Sequence, residues 1–248
     1  MNEAPSSQPA HAQVRTVRRS RAVQREQREA AILAAALEDF HASGLMNSRL
    51  EDIAARAGVA KGTLYLYFAN KSELFRAVVR SLIQPLYEHM EQEVAHFEGP
   101  TEELLRRTLR QIQQHFAVEP SGRRLLHLMI AEGHRVPELA DFYFNELSAR
   151  GLAIIKMIIW RGIASGEFRQ TPAAEFPHLI FAPVTLESAW PLMFGPERAL
   201  DPDRFYEAQA EFLLAALRAP PAAQITARPE RSSRNHRAEL THRNRPPS

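Results

Sequence analysis

The strongest constraint on the fold is the segment Leu50–Tyr67, where two short apolar-patterned stretches flank a single turn region. A helix-turn-helix packs two short helices at roughly a right angle across a tight turn. Ala54 supplies the small side chain needed where the second helix crosses the first, and Gly58 supplies the positive φ that the turn needs. The small core of such a unit needs apolar side chains, which the sequence supplies at Ile53, Ala57, Val59 and Leu64. The segment therefore predicts a helix-turn-helix.

Helices are also predicted on both sides of this segment, because apolar residues recur every three or four positions and no stretch alternates with a period of two. A helix over about 24–41 is expected to end at Gly44. Ser48 with Glu51, and Asn70 with Glu73, form two predicted capping boxes. Further helices are predicted over about 86–97, 101–117, 121–132, 137–164, 172–194 and 201–218. The prolines at 177, 183 and 191 predict that the helix over 172–194 is kinked or split.

The predicted fold is all-α, with an N-terminal three-helix helix-turn-helix domain over 23–80. A larger helical ligand-binding and dimerisation domain is predicted over 81–219. Residues 1–22 and 220–248 carry several arginines without apolar periodicity, so we predict that both segments are disordered. They could be solvated tails or basic arms that lie on DNA phosphates, and the sequence leaves both possibilities open.

Several classes of function are disfavoured by what the sequence lacks. With no cysteine, disulfides, thiolate nucleophiles and cysteine-ligated zinc are excluded. No Gly-rich phosphate loop, nucleophile elbow or two-histidine zinc motif occurs. We therefore expect no catalytic residue, no cofactor and no metal site, and we expect that the chain is not an enzyme. No signal peptide or membrane-spanning stretch is recognised, so a cytoplasmic protein without a membrane partner is expected.

The second helix of the motif has side chains that suit contact with DNA. Lysines can neutralise phosphates, a glycine lets the backbone approach the duplex, and threonine can bond a base edge. Tyrosine hydroxyls can donate to phosphates, although Tyr67 also fits a core position and both roles stay open. Free N–H groups at the start of the preceding helix favour an anion. The predicted DNA-contacting residues are Ser48, Arg49, Lys61, Gly62, Thr63, Tyr65, Tyr67 and Lys71.

The segments 53–68 (IAARAGVAKGTLYLYF) and 70–74 (NKSEL) resemble the DNA-binding domain of the TetR/AcrR family, and the similarity covers about 28–79. Ala60 departs from the family pattern, which usually has a serine or threonine cap there, and a missing cap costs about 1 kcal/mol. Residues 123–168 resemble the AefR-like subgroup. The resemblance implies a small-molecule pocket in the C-terminal domain and a dimer interface formed by the last two long helices.

Isolated polar and bulky residues in the C-terminal helices are the candidate ligand-binding residues. His127 and His178 each interrupt an apolar run, and a buried polar group needs a partner, which the protein or a ligand could supply. Large aromatic residues nearby could line a pocket or simply fill the core. The predicted ligand-binding residues are His127, Phe142, Phe144, Met157, Trp160 and His178.

Together these observations predict a transcriptional repressor that binds a near-palindromic operator in double-stranded DNA as a homodimer. A small, mostly apolar effector is expected to release it. One alternative is a constitutive DNA-binding protein without an effector, which a cavity in the C-terminal domain would count against. A second alternative is an enzyme on a helical scaffold, which the missing catalytic motifs argue against.

Overall fold

The structure is a computed structural model that describes residues 10–220, except for the side chains of 10–21, 134 and 137–139. The predicted disorder of 1–9 and of 221–248 concerns residues outside this range. The described residues form eleven α-helices: α1 (Ala10–Ser43), α2 (Leu50–Arg56), α3 (Lys61–Tyr67), α4 (Lys71–His96), α5 (Thr101–Gln113), α6 (Pro120–Glu132), α7 (Pro137–Tyr143), α8 (Ala149–Ser165), α9 (Pro172–Glu175), α10 (His178–Phe194) and α11 (Pro202–Leu217).

Helix α1 begins well before the predicted start near residue 24, at Ala10. The predicted disorder of 1–22 is therefore wrong from Ala10 onward. Alanine and arginine make up seven of the thirteen residues 10–22, and both are good helix formers. Once the apolar part of α1 has formed a helix, extending it toward the N-terminus needs no new nucleation. Gly44 ends α1 with a φ of 77°, as the sequence predicted.

The N-terminal core is built from α1, α2, α3 and the first turns of α4. Phe40 of α1 and Phe75 of α4 meet edge to face, with ring centroids 5.9 Å apart. Ile53 of α2 and Leu64 of α3 are fully buried beside them. Leu50 of α2 is also buried in this core, so each short helix is anchored to it by large apolar side chains.

Helix α4 runs without interruption from Lys71 to His96, and it passes through the predicted domain boundary at 80/81. The helix predicted over about 86–97 is not separate, because it forms the second half of α4. A proline inside a helix removes one backbone hydrogen bond and crowds the preceding turn. Here Ile83, Tyr87 and Met90 are all buried around Pro85, so packing holds the helix together. Among the described residues, 10–218 belong to one compact unit.

The C-terminal part packs α5 against α8, α10 and α11, with α4 alongside. The predicted helix over 137–164 occurs as α7, a π-helical turn over Phe144–Ser148, and α8. The predicted split in 172–194 is confirmed, because α9 ends at Glu175 and α10 begins after Pro177. Pro183 and Pro191 lie inside α10. In the part of the chain that the structure describes, no helix combines the length and the apolarity of a membrane span.

Gly122 marks the tightest contact between α6 and the π-helical turn over Gln114–Val118. A Cβ atom added at Gly122 would lie 1.9 Å from the backbone oxygen of His115. We predict that Gly122→Ala lowers the free energy of unfolding by about 2 kcal/mol or more, since the backbone must move to accommodate it. Gly133→Ala is the control, because the nearest atom to its Cβ would be 3.6 Å away. Equal denaturation midpoints for the two variants would contradict this packing.

Candidate nucleic-acid interface

The turn between α2 and α3 has the geometry of a helix-turn-helix. Gly58 has a φ of 68°, in the left-handed region that favours glycine. The backbone N–H of Val59 donates to the oxygen of Ala54 at 3.0 Å, which closes the turn onto α2. Leu64 is fully buried and anchors α3, as the sequence predicted. At Ala60 no side chain caps α3, so the departure from the family pattern is real.

One face of α3 is open to solvent. A Cβ added at Gly62 would have no atom within 4 Å, so the protein itself does not require a glycine there. Tyr65 is 44% exposed, and Lys61 is also exposed. Leu66 is 83% exposed, the highest value among the large apolar side chains of the described residues. Sequence analysis did not select Leu66, because a leucine beside Leu64 suggests core rather than surface.

Lys61 is paired with the carboxylate of Glu51 on α2 and lies 5.9 Å from the centre of the Tyr65 ring. The hydrogen bond from Lys61 lowers the pKa of Glu51. Because both partners are exposed, the pair is weak and a phosphate can replace Glu51. Lys61 therefore stays available for the predicted phosphate contact.

The structure favours the structural role of Tyr67 over a DNA contact. Its ring packs against the N-terminal core. The guanidinium carbon of Arg25 lies 5.7 Å from the ring centre, and the Tyr67 hydroxyl donates to the backbone oxygen of Arg25 at 3.4 Å. A bond of that length is weak, but it directs the hydroxyl toward α1. Thr63 is half-buried and Arg49 is exposed, so their predicted contacts remain predictions.

Two predictions about Ser48 are wrong. Its hydroxyl donates to the backbone oxygen of Gly44 at 2.9 Å, and its backbone N–H donates to the same oxygen at 3.2 Å. Ser48 is buried and offers no free donor to DNA. Helix α2 begins at Leu50 with Arg49 as its N-cap, and no side chain caps it, so the Ser48–Glu51 capping box does not form. The Ser48 hydroxyl instead donates to the backbone oxygen of Gly44, just after the end of α1.

Lys71 has a structural role that the sequence did not indicate. Its ammonium group donates to the backbone oxygens of Met46 at 2.8 Å and of Ser48 at 3.0 Å. It therefore ties the loop between α1 and α2 to the start of α4. The neighbouring Asn70 caps α4 by accepting the N–H of Glu73 at 2.8 Å, as predicted. The Glu73 carboxylate accepts the backbone N–H of Ala69 rather than that of Asn70.

A cavity of about 350 Å³ lies between α4, α6, α8 and α10, and it opens to solvent. Of the six predicted ligand-binding residues, His178 is the one that lines it. The other lining residues are Tyr87, Phe116, Leu126, Tyr143, Leu147, Ser148, Leu152, Phe181, Ala182, Val184 and Thr185. Two tyrosines were missed, because nothing local in the sequence brings residues 87 and 143 together. No group of three metal-ligating side chains occurs within the described residues.

Four other predicted ligand-binding residues lie away from the cavity. Phe144, Met157 and Trp160 are each about half exposed. Met157 and Trp160 lie three residues apart on the exposed face of α8, and the opposite face of that helix is buried. Phe142 is buried, with the guanidinium carbons of Arg76 and Arg80 at 5.4 and 5.2 Å from its ring centre. The cavity assignment of these four residues is therefore wrong.

His127 finds its partner in the protein rather than in the cavity. Its Nε2 lies 2.7 Å from the backbone oxygen of Ser188 on α10 and 3.0 Å from the Ser188 hydroxyl. Since a carbonyl oxygen only accepts, Nε2 must carry a proton and donate it. Burial lowers the pKa of His127, and the Ser188 bond opposes that effect. The ring is held in place, so His127 is not a ligand contact in this structure.

A polar contact surface joins α1 to α6, and we call it the α1–α6 seam. It consists of the Glu38–Arg124 ion pair, the His41 and His127 rings with centroids 6.0 Å apart, and Gly44 beside the Glu132 carboxylate. Through this seam the last turns of α1, which hold the helix-turn-helix, rest on a helix of the C-terminal part.

Two family models match the chain. Residues 32–78 match the model described as bacterial regulatory proteins, tetR family, and residues 98–205 match a tetracyclin repressor-like C-terminal domain. A fatty acid metabolism regulator protein of Bacillus subtilis (strain 168) is 29% identical over 139 residues, 56% of this chain and 70% of that protein. The HTH-type transcriptional regulator RutR of Escherichia coli (strain K12) is 46% identical over 68 residues, 27% of this chain and 31% of RutR.

Solved structures share the fold over most of the chain. The regulator FadR from Bacillus subtilis, in complex with stearoyl-CoA, has a TM-score of 0.62 at 24% identity over 75% of this chain and 97% of FadR. A transcriptional regulator from Saccharomonospora viridis, in complex with choline, has a TM-score of 0.65 at 20% identity over 77% of this chain and 98% of that chain. The similarity to the AefR-like subgroup stays a prediction.

We predict that Gly62→Ala weakens operator binding at least tenfold while the free energy of unfolding stays equal or rises by up to about 1 kcal/mol. Alanine is the better helix former, and its methyl group meets no protein atom. The methyl group would instead meet the duplex. Gly133→Ala is the control, and fluorescence anisotropy with labelled operator together with urea denaturation measures both quantities. Unchanged DNA affinity in Gly62→Ala would contradict the assigned DNA face.

Lys61→Ala and Lys71→Ala are expected to differ. Lys61→Ala should reduce the slope of log operator affinity against log salt concentration by about 1, as expected for the loss of one phosphate contact. It should leave the free energy of unfolding unchanged. Lys71→Ala should also lower stability by about 1 kcal/mol, because two loop carbonyls lose their donor. The measurements are salt titrations of DNA binding and denaturation curves. Equal stability of the two variants would contradict the structural role of Lys71.

Proposed function

The chain belongs to the TetR family of bacterial regulatory proteins, and on that premise we propose that it is a repressor controlled by a small molecule. As a homodimer in the cytoplasm it binds near-palindromic operator DNA, and it leaves the operator when an effector occupies the cavity between α4 and α10. It acts as a regulator and not as an enzyme, with DNA recognition in 23–80 and effector binding and dimerisation in 81–219.

The observation that carries the DNA-binding proposal is the exposed face of α3. Gly62 leaves the backbone bare, Lys61 and Tyr65 flank it, and the buried Leu64 holds the helix rigidly from behind. Major-groove recognition needs a helix whose outward side chains can reach base edges and phosphates. On its protein side α3 packs against α2, and its Tyr67 hydroxyl donates to the backbone oxygen of Arg25 on α1.

Exposed apolar residues on the last two long helices support the dimer. On α10, Leu179, Leu186 and Met193 are all exposed and lie seven residues apart, which aligns them along one face. On α11, Phe212 is 77% exposed. Such an apolar surface on a single chain is a liability unless a second copy covers it. A dimer also doubles the base pairs contacted, which a single helix-turn-helix needs for specificity.

Effector control is supported by the contacts that run from the cavity to the DNA-binding helices. Val184 and Thr185 of α10 line the cavity, and Ser188 lies one turn further on. Ser188 bonds to His127, and the His127 ring faces His41 at the α1–α6 seam. An effector that shifts α10 would therefore shift α1. It releases DNA if it binds the shifted form more tightly than the operator-bound form, by about 1–3 kcal/mol of binding free energy.

Two relatives of the same fold support a small molecule as the effector, since FadR is in complex with stearoyl-CoA and the Saccharomonospora viridis regulator with choline. The cavity counts against the alternative of a constitutive DNA-binding protein without an effector. Which small molecule acts here depends on the lining of the cavity, and the two ligands differ widely in charge and size.

Selection from a random-sequence DNA pool tests the proposal without knowledge of the regulated genes. We predict enrichment of a near-palindrome whose half-sites lie about 34 Å apart, one helical turn of DNA. The triple variant Lys61→Ala, Gly62→Ala, Tyr65→Ala is the control and should enrich nothing. Enrichment of an isolated half-site would contradict the dimer, and absence of any enriched sequence with the parent chain would contradict operator binding.

A further inference from the structure

Two tyrosine hydroxyls at the wall of the cavity have no protein partner among the described residues. Tyr87 of α4 is almost fully buried, and Tyr143 ends α7. A Cβ atom added at Gly151 would lie 2.6 Å from the Tyr87 hydroxyl, so α8 leaves the room that this hydroxyl occupies. Elsewhere in the chain a buried tyrosine is satisfied, since the hydroxyl of Tyr206 donates to the backbone oxygen of Arg106 at 2.9 Å.

Both hydroxyls are permanent donors near neutral pH. Burial raises the pKa of Tyr143 to about 12. Burial, with the neighbouring Tyr143, raises the pKa of Tyr87 further still. A ligand that covers these hydroxyls without accepting a hydrogen bond from them would leave two donors unsatisfied, which costs free energy.

The described residues that line the cavity offer an ion no carboxylate, ammonium or guanidinium group, and His178 is their one imidazole. None of its lining residues is an arginine, lysine, aspartate or glutamate. Arg150 approaches the Tyr87 ring, but Glu91 holds its guanidinium through two hydrogen bonds of 2.7 Å each. The Thr185 hydroxyl donates to the backbone oxygen of Phe181 at 3.1 Å. A cation that left water for this site would lose its hydration without a carboxylate to replace it, and an anion would have the His178 imidazole alone as a countercharge.

We propose that the effector is an uncharged, mostly apolar molecule with one oxygen acceptor, such as a ketone or ester carbonyl, that takes hydrogen bonds from Tyr87 and Tyr143. A volume of about 350 Å³ accommodates about a dozen water-sized groups, which sets the scale of the molecule. This inference rests on the proposed function, because it identifies the chemical class that the regulator responds to.

Three probes with a ten-carbon skeleton and different head groups test the inference: methyl octyl ketone, decanoate and decyltrimethylammonium. Calorimetric titration of the full-length protein should give the tightest binding for the ketone. Tyr87→Phe and Tyr143→Phe should each weaken ketone binding about three- to tenfold, since each removes one neutral hydrogen bond. Tyr206→Phe is the matched control, because it removes a phenol hydroxyl away from the cavity and should leave ketone affinity unchanged.

Three results would overturn the inference. Decanoate or decyltrimethylammonium could bind more tightly than the ketone, the latter as expected if the aromatic side chains act as a cation site. The second is equal affinity of the ketone for the parent, Tyr87→Phe and Tyr143→Phe. The third is that none of the three probes binds. Operator binding is measured on the same preparations, so a protein that binds operator but not ketone contradicts the effector class and leaves the proposed function standing.

Discussion

Helix α4 is one rigid element that belongs to both the DNA-binding part and the cavity, and the rest of the structure depends on its continuity. Its 26 residues span about 39 Å. At one end Lys71 holds the loop between α1 and α2, and Phe75 packs against Phe40 in the N-terminal core. Sixteen residues after Lys71 on the same helix, Tyr87 lines the cavity. A ligand that moves Tyr87 therefore acts on the same helix that carries Lys71 and Phe75.

The α1–α6 seam is a second connection between the DNA-binding part and the part that contains the cavity. It adds a second set of contacts through which a movement in one part acts on the other. Arg124 and His127 of α6 face Glu38 and His41 of α1, while His127 is also bonded to Ser188 of α10. A change at the cavity wall therefore reaches α1 directly and reaches α3 through α4. Two packed routes favour discrete arrangements over gradual bending, since tightly packed interfaces do not deform continuously.

The sequence determined most of what depends on neighbours along the chain. Gly58, Ala54 and Leu64 identified the helix-turn-helix, because each meets a steric requirement within a few residues. Where several partners compete, local reasoning failed: the Ser48 hydroxyl could cap α2 or bond the end of α1, and tertiary packing chose the second.

The ligand-binding residues were harder to predict, since a helical period tells which side chains share a face but not what covers that face. Trp160 is thus exposed, whereas Tyr87 and Tyr143, far apart in the sequence, meet at the cavity.

The most direct test of the proposed regulation is the distance between the two α3 helices of the dimer. The chain has no cysteine, so a spin label on Ala69→Cys, an exposed position just after α3, is unique in each protomer. The account predicts that operator DNA narrows the distance distribution measured by pulsed electron paramagnetic resonance to a single population, and that a cavity ligand restores the broad one. Absence of dipolar coupling, or a distribution that operator leaves unchanged, would contradict it.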